Sequence, residues 1–168
     1  MNILQKFKQH HSFYITLVAT LVVIIDQVTK GYIYIRAFLT EDDIIIFPFL
    51  QLTLVLNTGV SFSLLNFTNY LLLSLLSFCA TIIVVLFVLK SFDYHRRSIK
   101  IAIALIIGGS LGNILDRVRL GAVIDFISVN IKSYHFPIFN IADIAINLAV
   151  ILLLYDIIIR KLYGLKGK

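Results

Sequence analysis

The sequence predicts an integral membrane protein, mainly α, with four transmembrane helices and a small outer-face β-sheet cap. Three observations carry that expectation. Of 168 residues, 60% are hydrophobic and only 14% charged, whereas soluble domains carry about 25% charged residues. Four apolar stretches each approach the ~20 residues that a hydrocarbon core of roughly 30 Å requires. Between them lie two connecting segments with the period-2 alternation or β-branched content of strands.

The first span covers about residues 13–33 and is uncharged from Phe13 until Asp26. Lys6 and Lys8 precede it as in a signal peptide, but no small-residue cleavage site follows; DQVTK follows instead, which favours a retained helix. An outer connection of about residues 34–69 comes next. Its QLTLVLN run places Leu50, Leu52, Leu54 and Leu56 on one face and Gln51, Thr53 and Asn57 on the other, the pattern of a half-buried strand. The second span, about 70–89, has no formal charge and ends at Lys90. Cys79, the single cysteine, lies within it, which excludes an intramolecular disulfide and suggests a packing role. The third, about 99–116, is interrupted before its terminal Asp116 only by Lys100, whose stem can snorkel to the membrane surface. Its GGSLG, residues 108–112, is a small-xxx-small pattern that admits a neighbouring helix. A second outer connection, about 117–135, contains GAVIDFISVNI, in which Gly121 offers a turn before a second strand or hairpin. The fourth span, about 137–159, carries Asp143 and Asp156 near opposite ends; Asp156 is expected to pair with Arg160 at i, i+4. No internal repeat or second composition appears, so residues 1–168 read as one membrane-embedded domain.

Charge distribution sets the orientation. Ten of the fifteen basic residues precede span one, join spans two and three, or follow span four. The other five, Lys30, Arg36, Arg117, Arg119 and Lys132, share the opposite side with Glu41, Asp42 and Asp43. The positive-inside rule then puts both termini in the cytoplasm. A net charge of +6 distributed this way points to a membrane, not to nucleic acid. His10, His11, His95 and His135 show no metal-ligand spacing, and no metal or cofactor is assigned.

Ionisable groups inside spans cost about 2.5–3.5 kcal/mol each on insertion scales and are functional candidates by default. With this topology Asp26 and Lys30 lie toward the outer end of span one, and Asn113, Asp116 and Arg117 at the outer end of span three. Asn140 and Asp143 fall in the first turns of span four, while Asn57 and Asp125 arrive from the outer loops. At about 100° per residue, Asn140, Asp143 and Asn147 form one polar stripe. Asp26 with Lys30 suits a helix-end ion pair as well as a substrate contact, and Asp116 with Arg117 suits an interfacial anchor. Asp143 is harder to explain structurally, because a carboxylate inside an apolar helix gains little except reactivity. The significance of Asp125 rests on proximity to it. Intramembrane aspartates also mark proton paths, so a proton-coupled carrier is the competing class. Against that class, the middle of spans two and three is apolar apart from Ser and Thr, and the chain has no inverted repeat of the kind carriers show.

Taken in order, DQVTK, NTGVSFS, GGSLGNILDR, VIDF and FNIAD resemble the ordered blocks of the bacterial lipoprotein signal peptidases, signal peptidase II. The resemblance covers nearly the whole chain. It implies an aspartic endopeptidase that removes the signal peptide from diacylglyceryl-modified prolipoproteins, cutting just before the lipidated cysteine. Asp125 and Asp143 would be the catalytic pair; Asp26, Lys30, Asn57, Asn113, Asp116, Arg117 and Asn140 would shape the site and bind substrate. The implied setting is the bacterial cytoplasmic (inner) membrane, with the site at the outer, periplasmic face. Implied partners are prolipoproteins and membrane lipids, with no cofactor and a monomeric chain. Val60, Ser61 and Ser63 stand where many members carry small Ala and Gly.

Overall fold

The computed structural model describes residues 3–40, 42–58, 70–91 and 96–163. Val60, Ser61 and Ser63 lie outside the described residues. Four helices, α1 (Ile3–Thr40), α2 (Tyr70–Ser91), α3 (Arg97–Leu120) and α4 (Ile141–Leu162), accompany four strands: β1 (Ile44–Phe47), β2 (Leu50–Asn57), β3 (Val123–Ile131) and β4 (Tyr134–His135). Three helices hold segments long and apolar enough to cross a membrane: Phe13–Thr40, Arg97–Leu120 and Ile141–Ile159. In α2 the described apolar run, Ser74–Lys90, is shorter.

α3 is the central element and packs against all three other helices. Small residues make that possible. A Cβ placed on Gly108 would lie 2.7 Å from the Ala19 carbonyl oxygen of α1, and one on Gly109 would lie 2.5 Å from the Ala142 carbonyl oxygen of α4. Hydrogen on both glycines lets the backbones approach closely, the packing role expected of GGSLG. Away from the sheet, Val88, Ile99, Ala102, Ile103, Ile106 and Ala149 form an apolar core. The opposite faces of α1, α2 and α4 expose large apolar side chains such as Val28, Ile83, Phe87 and Ile151, as a lipid-facing surface requires.

The strands form an antiparallel sheet in the order β1-β2-β3-β4 at one end of the bundle. Ile124 and Phe126 of β3 pack on Ile33 of α1, with Leu52 and Leu54 of β2 against them. The expected strands fall on β2 and β3, and β4 closes the hairpin that the second connection allowed; β1 was not anticipated. The alternation of β2 is broken by a bulge, since Leu52 pairs with Ile127 but Val55 with Asp125. That extra residue exchanges the faces of the strand beyond it, which puts Asn57 on the same face as Asp125 and leaves Leu56 exposed.

Several helix ends depart from the sequence reading. α1 continues to Thr40 instead of ending near residue 33, because nothing in YIRAFLT breaks a helix. α3 passes Arg117 and ends at Leu120, where Gly121 adopts φ 72° and its N–H bonds the Arg117 carbonyl. Conversely, residues 136–140 are not helical, and α4 begins after Asn140. Lys100 is buried against neighbouring helices, not extended to the surface, and Cys79 is exposed, not packed. Asp156 pairs with Arg96 at 2.6 Å across the helix interface; the side chain of Arg160 lies outside the described residues.

Candidate active site

The geometry starts at the N-terminus of α4. Asn140 is the N-cap, with an extended backbone, so it precedes the first turn in which it was expected. Its side-chain oxygen accepts the Asp143 N–H at 2.9 Å, and Asp143 Oδ2 accepts the Asn140 N–H at 3.2 Å, a reciprocal capping box. Since that oxygen faces a donor, the Asn140 amide nitrogen must point the other way. It donates to Asp125 Oδ1 at 2.7 Å and to Asn113 Oδ1 at 3.2 Å. One residue therefore ties both candidate carboxylates together.

Asn113 is oriented by the same logic. Lys30 Nζ, a donor only, bonds Asn113 Oδ1 at 2.9 Å, so the amide nitrogen is left to donate to Asp143 Oδ1 at 2.9 Å. On β2, Asn57 donates to Asp125 Oδ2 at 2.9 Å. Both oxygens of each candidate carboxylate are thus held by fixed donors.

Beneath these groups lies an ionic layer. Lys30, 1% exposed, contacts Asp26 at 2.8 Å and Asp116 at 2.7 Å. The i, i+4 pairing of Asp26 with Lys30 is thereby observed. Asp26 Oδ1 also accepts the Ala142 N–H at 2.9 Å, and Asp116 Oδ2 accepts the Ile124 N–H at 3.2 Å. A cation enclosed by two acids meets the condition under which buried charge is tolerated, and these backbone contacts lock α1 to α4 and α3 to β3.

Eight of the nine residues singled out from sequence enter this one network. The ninth, Arg117, stands within electrostatic reach of Asp143, Asp116 and Asp125. Asn147, assigned to the polar stripe, is exposed and makes no bond to the network among the described residues. Gln27 was missed: it donates to Asp116 Oδ1 at 2.9 Å and to Asp26 Oδ2 at 3.2 Å, and accepts from Arg119 at 3.0 Å. Its only signal was its place inside DQVTK. Among the described residues, no group of three or more His, Cys, Asp or Glu could hold a metal ion.

Asp125 is 4% exposed. Burial pushes its carboxyl above the ordinary carboxylate range; the Asn57 and Asn140 donors oppose the rise, and the neighbouring Asp143 charge adds to it. Two openings flank the pair. A cleft of about 390 Å³ beside Asp125 is lined by Val55, Asn57, Pro137 and Ile138. A mostly apolar groove of about 330 Å³ runs from Asn113 and Arg117 between α2, α3 and α4, past Thr81, Ile146 and Val150.

A helical membrane bundle with one clamped, carboxylate-rich polar centre opening onto an apolar groove defines an integral membrane enzyme. Solved structures bear out that class: one bacterial membrane enzyme superposes with a TM-score of 0.69 at 34% identity, covering 92% of this chain and 93% of the other. A second gives 0.67 at 36% identity, covering 86% and 92%. The family model for signal peptidase (SPase) II matches residues 18–159, and the chain belongs to that family. The lipoprotein signal peptidase of Acinetobacter baumannii (strain ATCC 17978) is 40% identical over 157 residues, 90% of this chain and 86% of its own length. That of Syntrophus aciditrophicus is 37% identical over 146 residues, 85% and 91% respectively. These relatives are peptidases, and the carrier reading finds no support among them.

Proposed function

We propose that the protein is an aspartic endopeptidase that removes signal peptides from diacylglyceryl-modified prolipoproteins, cutting before the lipidated cysteine. The observation that carries this reading is the bridging of Asp125 and Asp143 by the single residue Asn140. Burial and the neighbouring Asp143 charge both disfavour ionisation of Asp125, so Asp125 holds a proton. Asp143 is then the base that takes a proton from water as the water attacks the scissile carbonyl. Asp125 hydrogen-bonds the carbonyl oxygen and afterwards delivers its proton to the leaving amine. Asn113 and Arg117, which line the apolar groove, hold the substrate backbone extended across the pair that the buried Asn140 positions, and the groove takes the acyl chains.

The setting follows from charge and length. All four helices span the inner membrane as one peptidase domain of residues 1–168; the 22 residues of α2 extend about 33 Å, enough for the hydrocarbon core. Both termini are cytoplasmic by the positive-inside distribution, so the sheet and the site face outward. A lipid-anchored cysteine is held at that depth, which fixes the cut site relative to the membrane.

The test is cleavage of a diacylglyceryl-modified prolipoprotein by purified protein in detergent. Wild type is expected to cleave. Asp125→Asn and Asp143→Asn, each verified as folded, are expected to fall by about 10²–10⁴-fold, the range for losing a general acid or base. Equal cleavage by all three removes the aspartic mechanism. Cleavage of unlipidated precursor at the same rate removes the substrate assignment.

A further inference from the structure

Beyond the catalytic centre, the segment of α1 past Lys30 forms one wall of a separate cavity of about 250 Å³. It is lined by Arg36 and Ala37 of α1, by Asp42, Asp43 and Ile44, and by Leu52 and Thr53 of β2. Its charges are unusual. Among the described residues the ion pairs are Lys30 with Asp26 and Asp116, and Arg96 with Asp156. Arg36 makes none, and its Nε is buried without a hydrogen-bond partner. Arg36, Asp42 and Asp43 thus line one cavity with no ion pair among them.

The space between them fits a ligand that carries both charges. A guanidinium matches the oxygens of a phosphate through its planar fork of donors, and a carboxylate pair matches a primary ammonium. The volume lies below the roughly 300–1,000 Å³ of drug-sized pockets, which suits a headgroup and not an acyl chain. Position adds a third argument. Arg36 lies six residues beyond Lys30, about 9 Å further along α1, and the flanking Phe38, Leu39 and Ile45 are 84%, 73% and 74% exposed. Apolar side chains so exposed are continuous with the lipid-facing surface of α1, and so place the cavity at headgroup level. We propose that this cavity is a binding site for a zwitterionic phospholipid headgroup, with Arg36 on the phosphate and Asp42 and Asp43 on the ammonium of phosphatidylethanolamine. The site is independent of the peptidase reading and takes no part in cleavage.

Native mass spectrometry of the full chain in detergent, equilibrated with defined lipids, tests it. The expected result is a one-to-one adduct with phosphatidylethanolamine, retained over phosphatidylglycerol, which lacks the ammonium, and over phosphatidylcholine, whose ammonium has no N–H. Arg36→Gln should weaken retention roughly tenfold, the effect of losing a charged hydrogen-bond partner. The double variant Asp42→Asn, Asp43→Asn should erase the preference for phosphatidylethanolamine over phosphatidylglycerol. Thermal unfolding and prolipoprotein cleavage like wild type show that the variants are folded. Equal retention of all three lipids by wild type overturns the proposal without recourse to any variant, as does unchanged retention in folded Arg36→Gln. Displacement of the lipid by an equal concentration of soluble glycerophosphoethanolamine would identify a free phosphate ester as the ligand and overturn the lipid assignment.

Discussion

Asn140 ends the irregular segment before α4, caps that helix and bridges the two acids with one amide group. Fold and reactivity are coupled there, because any change that frees the cap also frees Asp125. Asn57 is different: it reaches Asp125 from a strand, β2, and not from a helix cap. Its N–H favours the ionised form of Asp125, so removing it raises a carboxyl that burial already holds high. If Asp125 must be protonated for turnover, the alkaline limb of the kcat–pH profile in Asn57→Ala moves to higher pH. Movement of the acid limb instead would assign Asp125 as the base. Stability carries the same sign. A carboxyl raised in the folded state contributes stability that is complete below its unfolded pKa and lost as pH rises through its folded pKa. The stability of Asp125→Asn relative to wild type is therefore expected to increase as pH rises through that range, measured by thermal unfolding across pH. A difference independent of pH would contradict the raised carboxyl.

At the level of elements, the site depends on how closely α3 is approached. A Cβ on Gly109 would meet the Ala142 carbonyl oxygen at 2.5 Å and Ile146 Cγ1 at 2.9 Å. Ala142 lies in the same turn as Asp143, and its N–H bonds Asp26. Gly109→Ala is thus expected to cost about 1–3 kcal/mol, as overpacking does, and to depress cleavage by displacing the first turn of α4. Gly31, with nothing within 4 Å of its would-be Cβ, should respond oppositely. Gly31→Ala is expected to add about 0.5–1 kcal/mol by helix propensity alone. Thermal unfolding distinguishes the two, and equal responses would show that close approach is not what Gly109 provides. These contacts also mark what sequence could reveal. Strands β2 and β3 were legible from alternation and β-branched content, and the packing role of GGSLG from its small residues. The β2 bulge was not, because register belongs to a pair of strands and not to either one. The end of α3 was misplaced because Arg117 marks a polar environment rather than a helix stop, whereas Gly121 is the stop.

Across the whole molecule, polar anchors occupy both ends of an apolar bundle. One is the acid–amide network; the other is Asp156, 3% exposed and bonded to Arg96 of the opposite helix end. The level of the first was readable from sequence, since residues on three helices arrived at one depth. The partner of Asp156 was not, because an i, i+4 neighbour can be counted along the chain while a contact between α4 and the residue preceding α3 exists only after packing. Thirteen residues separate Asp143 from Asp156, about 20 Å along α4, and between them lies the core of Val88, Ile99, Ile103 and Ala149. Changes that far apart should be nearly additive. Asp156→Ala is expected to lower stability by about 1.5–3 kcal/mol, the range for a charged hydrogen bond. The side chain of Arg96, 30% exposed, is left able to hydrate, which limits the loss. Cleavage per folded molecule should remain near wild type. Combining Asp156→Ala with Asn57→Ala should give the sum of their separate stability losses in thermal unfolding, and the kcat of Asn57→Ala alone. A deficit in kcat beyond that of Asn57→Ala would mean that α4 transmits strain from one anchor to the other as a rigid rod.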